Sequence, residues 1–328
     1  MKKILFIGLG SIGQRHLRNA QKIFKNYEFY ALRKTNHNLI IKDAKLIKKK
    51  SIEKEFNLKK IFNKTADAIK LKPNIVFVCN PTSKHLDESI KFSKIGCHLF
   101  IEKPLGTSKV KLNKLVSFLK NKKLVSIVGY QNRFNPAIQY IKKSIKNRKY
   151  GRVISSKFNF LTYLPNHHKY ENYKTSYVSQ KKLGGGTALN LSHEIDLIYY
   201  FFGMPKKIIN HNLNPKIIKT QTECDIYSTL IFKNNSIAQL NLSYSSFLDE
   251  HFIQIKFSKC ILIFNFSSGK ITIFGKNGVK EKNYKISKNK IFLEELKFFK
   301  KAISTKKLNH SLSVQKQIDV FNLINKIR

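Results

Sequence analysis

A strand-like run, Lys3–Ile7, apolar from Ile4 onward, leads straight into Gly8-Leu9-Gly10-Ser11-Ile12-Gly13, and this junction constrains the fold more than any other part of the chain. From Ile12 onward, His16, Leu17, Ala20, Ile23 and Phe24 recur at the spacing of one helix face. Strand, glycine turn and helix in that order make the G-x-G-x-x-G dinucleotide fingerprint. Gly8 permits the tight turn, Gly10 lets backbone approach a pyrophosphate, and Gly13 lets helix and strand pack closely. The helix start at Ser11 and Ile12 then offers free N–H groups and a positive dipole end to phosphate.

Roughly 20 residues past the glycines, an acidic side chain would hold the ribose 2′-hydroxyl of NAD. This chain has Leu32-Arg33-Lys34-Thr35 at that place. A guanidinium favours a 2′-phosphate, and the missing carboxylate removes a repulsion against it. Arg33 and Lys34 therefore favour NADP(H), with NAD(H) as the alternative if both are ordinary surface charges.

The next hundred residues keep the same rhythm. Glu28–Leu32, Asn74–Cys79 and His98–Ile101 read as strands. A helix from Ser83 should stop at Gly96, and another spans Ser108–Lys120. From Asn36 to Lys72 only a short strand and a helix are readable. Alternating strands and helices imply a parallel sheet. Beyond residue 122 the pattern changes to apolar and polar positions in turn: Arg152–Tyr163, Ile226–Phe232, Ser236–Tyr244, His251–Phe257 and Ile261–Phe266. That suits an open, mainly antiparallel sheet with one covered face. Helices are expected over Thr187–Phe202 and Ile291–Ile303. At 328 residues the chain has room for two cores, read as 1–122 for the dinucleotide and 123–328 for substrate and oligomer contacts.

Composition enters mainly by exclusion. The formal net charge is +44, which invites a nucleic-acid reading. The lysines, however, are spread along the whole chain, and abundant Asn, Ile, Phe and Tyr without Trp match an A/T-biased codon usage. No nucleic-acid or membrane partner is expected, since no apolar run reaches the roughly 18 residues a membrane span needs. Met1–Ile7 runs into Gln14-Arg15-His16 without a cleavage site, so it reads as a strand and not as a signal peptide. Cys79, Cys97, Cys224 and Cys260 lack C-x-x-C spacing, which indicates neither disulfides nor zinc and places the chain in the cytoplasm. No metal is expected.

Four further motifs follow in order: Asn80-Pro81-Thr82 with His85; Glu102-Lys103-Pro104; Gly129-Tyr130-Gln131-Asn132-Arg133-Phe134-Asn135-Pro136; and Gly184-Gly185-Gly186 with Asn190, His193 and Asp196. Together they resemble the glucose–fructose oxidoreductase / inositol dehydrogenase family, Gfo/Idh/MocA, over essentially the whole chain. The wording around Tyr163-Leu164-Pro165 and Leu191–Asp196 looks like members linked to surface-polysaccharide and nucleotide-sugar metabolism. The resemblance implies an α/β chain with an N-terminal Rossmann domain and a C-terminal α+β domain. It further implies a homodimer or homotetramer, and hydride transfer between a nicotinamide cofactor and a sugar or nucleotide-sugar carbon.

Carried over residue by residue, the resemblance makes Lys103 the partner of the reacting oxygen and His193 the general base in oxidation. A histidine near neutral pKa can take the hydroxyl proton, and an ammonium stabilises developing alkoxide charge. Asn80, Pro81, Thr82, His85, Glu102, Arg133 and Lys103 itself are expected at the cofactor. Tyr163, His167 and Tyr173, with His168 and Tyr170 nearby, are expected to line a sugar pocket, unless they are ordinary sheet-edge aromatics. Many relatives carry Asp at the place of Asn190, three residues before His193 on the expected helix face. An amide orients a hydroxyl but cannot serve as a base. A catalytically weak or inactive member, acting as a cofactor sensor or structural protein, is thus the alternative. Asp196 is expected to fix the helix.

Overall fold

The computed structural model describes residues 1–34, 39–42, 45–47, 51–167 and 171–328, the side chain of His167 excepted. Its contacts divide the chain into two compact units: Met1–Gly129 with Phe292–Phe321, and Tyr130–Ile291 with Asn322–Arg328. The division falls at 129, not at the expected 122, and a late segment returns to the first unit. Two things hide this in the sequence. The strand Ser126–Gly129 is four residues long, and the return is a long-range event with no local signal.

The first unit carries β1 (Lys2–Ile7), β2 (Tyr27–Leu32), β3 (Ile40–Lys42), β4 (Lys45–Ile47), β5 (Lys60–Phe62), β6 (Ile75–Val78), β7 (His98–Glu102) and β8 (Ser126–Gly129). Six of them form a parallel sheet in the order β5-β2-β1-β6-β7-β8, while β3 and β4 make a small antiparallel pair. Both faces of the sheet are covered, which is why the middles of its central strands are apolar: Ile4, Leu5, Phe6, Val76, Phe77 and Val78 are fully buried. Phe6 stacks on Phe77 at 4.4 Å and Phe77 on Phe100 at 5.0 Å. Phe299, from the returning segment, meets Phe77 and Phe100 edge-on at 6.1 and 5.8 Å. Truncating such a ring costs about 3–5 kcal/mol, so Phe299 is integral to this core. The strand order reverses between β1 and β6, and ligands of such sheets bind beyond the carboxyl ends of the strands at that point. Gly8 and Cys79-Asn80 stand there.

The second unit builds an eight-stranded sheet from β9 (Val153–Tyr163), β10 (Lys207–Leu213), β11 (Asp225–Ile231), β12 (Ile237–Ser243), β13 (Ser245–Phe257), β14 (Cys260–Asn265), β15 (Lys270–Gly275) and β16 (Gly278–Asn283). The order is β10-β11-β12-β9-β13-β14-β15-β16, antiparallel except for β12 beside β9. Alternate residues point into one core: Phe158, Leu240, Leu242, Ile253, Ile255, Leu262 and Phe264 are buried. The helix Ser192–Phe202 covers this face, resting on β9 and β12. Outer strands β10 and β16 carry no expectation from the sequence, because β16 is exposed at every position and so shows no alternation. The helix expected over Thr187–Phe202 is in fact two, Thr187–Asn190 and Ser192–Phe202, interrupted at Leu191. The Asn190 amide donates to the Gly186 carbonyl, a local bond of the kind that competes with a continuing helix.

Candidate functional site

At the first unit's strand ends, the glycines are held by sterics. Gly8 has φ +89°, and a Cβ there would lie 2.8 Å from the Cys79 carbonyl oxygen. A Cβ on Gly13 would come within 2.2 Å of the Gly8 carbonyl oxygen. Gly10 differs, since open space lies beside it. It precedes the helix Ser11–Ile23, whose first turn contains no acidic residue. Across the switch point, the buried Oδ1 of Asn80 has no hydrogen-bond partner among the described residues. Room at Gly10, an acid-free helix start and an unpaired buried amide oxygen together fit a dinucleotide. Arg33 follows β2, half-buried, with its backbone N–H donating to the Phe62 carbonyl. Burial lowers its pKa from the ordinary arginine value. Lys34 is exposed, and Ser11 and Ile12 are half-buried.

The helix Thr82–Lys94 ties this edge together. Pro81 precedes it and Thr82 opens it, buried. His85 is 1% exposed, with Nδ1 2.8 Å from the Pro104 carbonyl oxygen and Nε2 2.7 Å from that of Asn80. It thereby joins the loop after β6 to the loop that carries Lys103. Burial lowers its pKa, while the two carbonyls and Glu102 pull it back. Expected at the cofactor, His85 meets backbone through both of its nitrogens.

Glu102, at the end of β7, turns inward. Its carboxylate takes His16 Nε2 at 2.5 Å and the backbone N–H of Lys103 at 3.1 Å. Such bonds position the loop, and His16, buried on the first helix, was legible only as a helix-face residue. Lys103 follows, half-buried.

In the second unit, the turn Gln131–Phe134 grips the helix Ser192–Phe202 twice. Arg133 Nε donates to Asp196 Oδ2 at 2.9 Å and Nη2 to Oδ1 at 2.5 Å, both side chains nearly inaccessible. Burial pushes the Asp196 carboxyl up and the guanidinium pulls it back. Arg133, expected at the cofactor, holds a carboxylate of its own unit, and Asp196 thereby ties the turn to the helix. One turn earlier, His193 Nε2 lies 3.2 Å from Gln131 Nε2, and the Tyr130 ring stands edge-on to the imidazole at 5.8 Å. Gln131 went unassigned in the sequence although it sits inside a quoted motif.

Two carboxylates support the same region. Glu194, 1% exposed on its side chain, pairs with His251 at 2.8 Å. The His251 ring lies flat between Phe160 and Phe266, at 4.2 and 3.7 Å. Glu223 accepts the Ala188 N–H, and its carboxylate occupies the space a Cβ on Gly186 would need. Burial raises its pKa. No sequence signal marks Glu223, because its partner lies far along the chain. Asn190 is buried, with Nδ2 on the Gly186 carbonyl at 3.0 Å. Tyr163 ends β9, half-buried with its ring 4.8 Å from Phe247, and Tyr173 is half-buried. The His167 side chain, His168 and Tyr170 lie outside the described residues.

Both halves of the chain match models of one family. Residues 2–130 match the oxidoreductase family with an NAD-binding Rossmann fold, and residues 138–279 match the GFO/IDH/MocA C-terminal domain. The chain belongs to the Gfo/Idh/MocA family. Within that family, an oxidoreductase of Formosa agariphila is 23% identical over 210 residues, 63% of this chain and 64% of the relative. Levoglucosan dehydrogenase of Pseudarthrobacter phenanthrenivorans is 29% identical over 132 residues, 40% of this chain and 33% of the relative. The matches thus span less than two thirds of these relatives' lengths. In structure, a levoglucosan dehydrogenase in complex with NADH superposes with a TM-score of 0.83 at 17% identity, covering 99% of this chain and 95% of that one. The Gfo/Idh/MocA fold, a parallel Rossmann sheet followed by an open and mainly antiparallel one, is therefore present. Among the described residues no helix is long and apolar enough to cross a membrane, and no three His, Cys, Asp or Glu side chains gather as a metal site. The four cysteines are free.

Proposed function

We propose that this Gfo/Idh/MocA member is a nicotinamide-dependent dehydrogenase or reductase. It transfers a hydride between the cofactor and a hydroxyl-bearing carbon of a sugar or nucleotide-sugar, and it prefers NADP(H) to NAD(H). The observation that carries this reading is a histidine, His193, whose Nε2 faces a neutral amide, on a chain that also owns an open dinucleotide cradle at Gly10. The relative named levoglucosan dehydrogenase, and the NADH in a solved structure of that name, support the substrate class and the cofactor class.

Gly8, Gly10 and Gly13 with the N–H groups of Ser11 and Ile12 hold the pyrophosphate. Arg33 and Lys34 hold the 2′-phosphate, and Asn80, Pro81 and Thr82 border the nicotinamide half. When bound, the nicotinamide ring accepts or gives the hydride. Lys103 donates to the reacting oxygen and stabilises alkoxide charge as it develops. His193 takes the hydroxyl proton in oxidation and returns it in reduction. Asn190 contributes an amide to a substrate hydroxyl and no basicity. Tyr163, His167 and Tyr173 line the sugar pocket. The same reading makes the protein a cytoplasmic homodimer or homotetramer without nucleic-acid or membrane partners. Support for self-association comes from Ile209, Tyr227 and Phe274, exposed on the strands of the open sheet.

Paired fluorescence titrations with NADPH and NADH, followed by turnover of a sugar and nucleotide-sugar panel, test the proposal. Tighter NADPH binding with turnover is expected. Binding without turnover would move the chain to the cofactor-sensing alternative, and failure to bind either cofactor would withdraw the assignment.

A further inference from the structure

The contact between Gln131 and His193 has chemistry of its own. Gln131 opens the turn Gln131–Phe134, and Arg133 of the same turn clamps Asp196, one helical turn beyond His193. A buried, doubly bonded ion pair therefore sets the distance between turn and helix, and the Gln131 side chain is delivered to Nε2 at 3.2 Å. The Tyr130 ring, 1% exposed and near-perpendicular to the imidazole, packs against it as well.

A general base must present a lone pair before proton transfer and an N–H after it. A primary amide is the neutral side-chain group that serves both states: its NH2 donates to a lone pair, and its carbonyl, brought round by half a turn, accepts from an N–H. A carboxylate would serve only the second state, and a hydrocarbon neither.

We propose that Gln131 is a positioning residue that sets the proton state of His193. This rests on His193 being the base. In the resting protein the amide NH2 donates to Nε2, which keeps the neutral ring protonated on Nδ1 with its acceptor nitrogen forward. An arriving substrate hydroxyl takes over that lone pair. As oxidation proceeds, the substrate O–H bond breaks and the Nε2–H bond forms, while Gln131 neither gains nor loses a proton. The Gln131 carbonyl then holds the new N–H until the proton passes to solvent.

The test is nitrogen-15 NMR of the histidine side chains in the full chain, with the His193 signals assigned by their loss in His193→Ala. Above its titration midpoint, wild-type His193 is expected to show an unprotonated Nε2. Gln131→Glu is expected to move the proton onto Nε2 and to raise the midpoint by about one pH unit, roughly a tenfold gain in proton affinity. Gln131→Met, neutral and of similar length, is expected to leave the two tautomers mixed, and it serves if Gln131→Glu does not fold. A neutral wild-type ring already protonated on Nε2 would overturn the proposal, as would a tautomer indifferent to both substitutions. Turnover by His193→Ala reports on the base assignment alone: retained turnover would remove the base and leave the NMR result to judge the contact.

Discussion

The two units organise their site residues by different means. In the first, backbone atoms set most of the geometry: glycines that tolerate no Cβ, and two loop carbonyls joined through His85, with His16 and Glu102 adding a side-chain pair. In the second, side chain meets side chain: Arg133 with Asp196, Gln131 with His193, and Glu194 with His251. The difference suits the tasks. A pyrophosphate is the same in every dinucleotide, so a fixed backbone cradle suffices to hold it. A sugar differs from one enzyme to the next, and side-chain pairs can be exchanged without rebuilding the sheet.

Substitutions should separate these two modes. The largest effect is expected from Asp196→Asn, which leaves the Arg133 charge buried without its counterion. Breaking such a pair costs about 3–5 kcal/mol, readable as an earlier urea midpoint. A loss below about 1 kcal/mol would mean that packing, not the pair, holds the helix. Next comes Lys103→Ala. Removing a donor to a developing oxyanion lowers kcat by about 10²–10³, a larger change than any in cofactor affinity read by fluorescence titration. Gly10→Ala sharpens the comparison from the other side. Its φ of −70° suits any residue and no protein atom opposes a Cβ. The melting temperature should hold while NADPH affinity drops on the order of tenfold or more, because the methyl group occupies the ligand's space. Arg33→Ala should weaken NADPH by about tenfold and spare NADH, the value of one charge-assisted contact. Equal losses for both cofactors would discard the 2′-phosphate role.

Absent at neutral pH, and so smallest there, is a response to acid in the first unit. Burial, with the Lys307 cation, lowers His310 from 6.5 to about 4. The unfolded chain then binds the proton more readily than the folded one. Stability is complete above about pH 6.5 and declines as pH falls toward 4. His310→Phe should flatten that part of a pH–melting curve. An unchanged slope would show that other groups govern it.

How much of this was legible in the sequence follows the same division. The turn at Gly8, the strand read as His98–Ile101 and the helix read from Ser83 are local events, announced by neighbouring residues to within one position of the observed ends. Alternation along β9 and β12 announces a half-covered sheet. Arg133 and Asp196 stand 63 positions apart, and Gln131 and His193 62; no periodicity connects such pairs. Arg133 was legible as important, but its pairing with Asp196 was not, because a motif names residues and leaves out their partners. The break at Leu191 was hidden as well. No Gly or Pro stands between Thr187 and Phe202 to announce it, and the Asn190 amide turns back to the Gly186 carbonyl.

Residues 292–321 belong to the first unit's core. On the ribosome, residues 1–129 emerge early, yet the ring that closes over Phe77 and Phe100 arrives some 170 residues later, when Phe299 is made. The Rossmann half therefore waits, unfinished, through the synthesis of its companion. A gene fragment cut at the first unit's apparent border would express an open aromatic core. Evolution faces the same limit, because this half cannot be passed to another protein without its distant last piece.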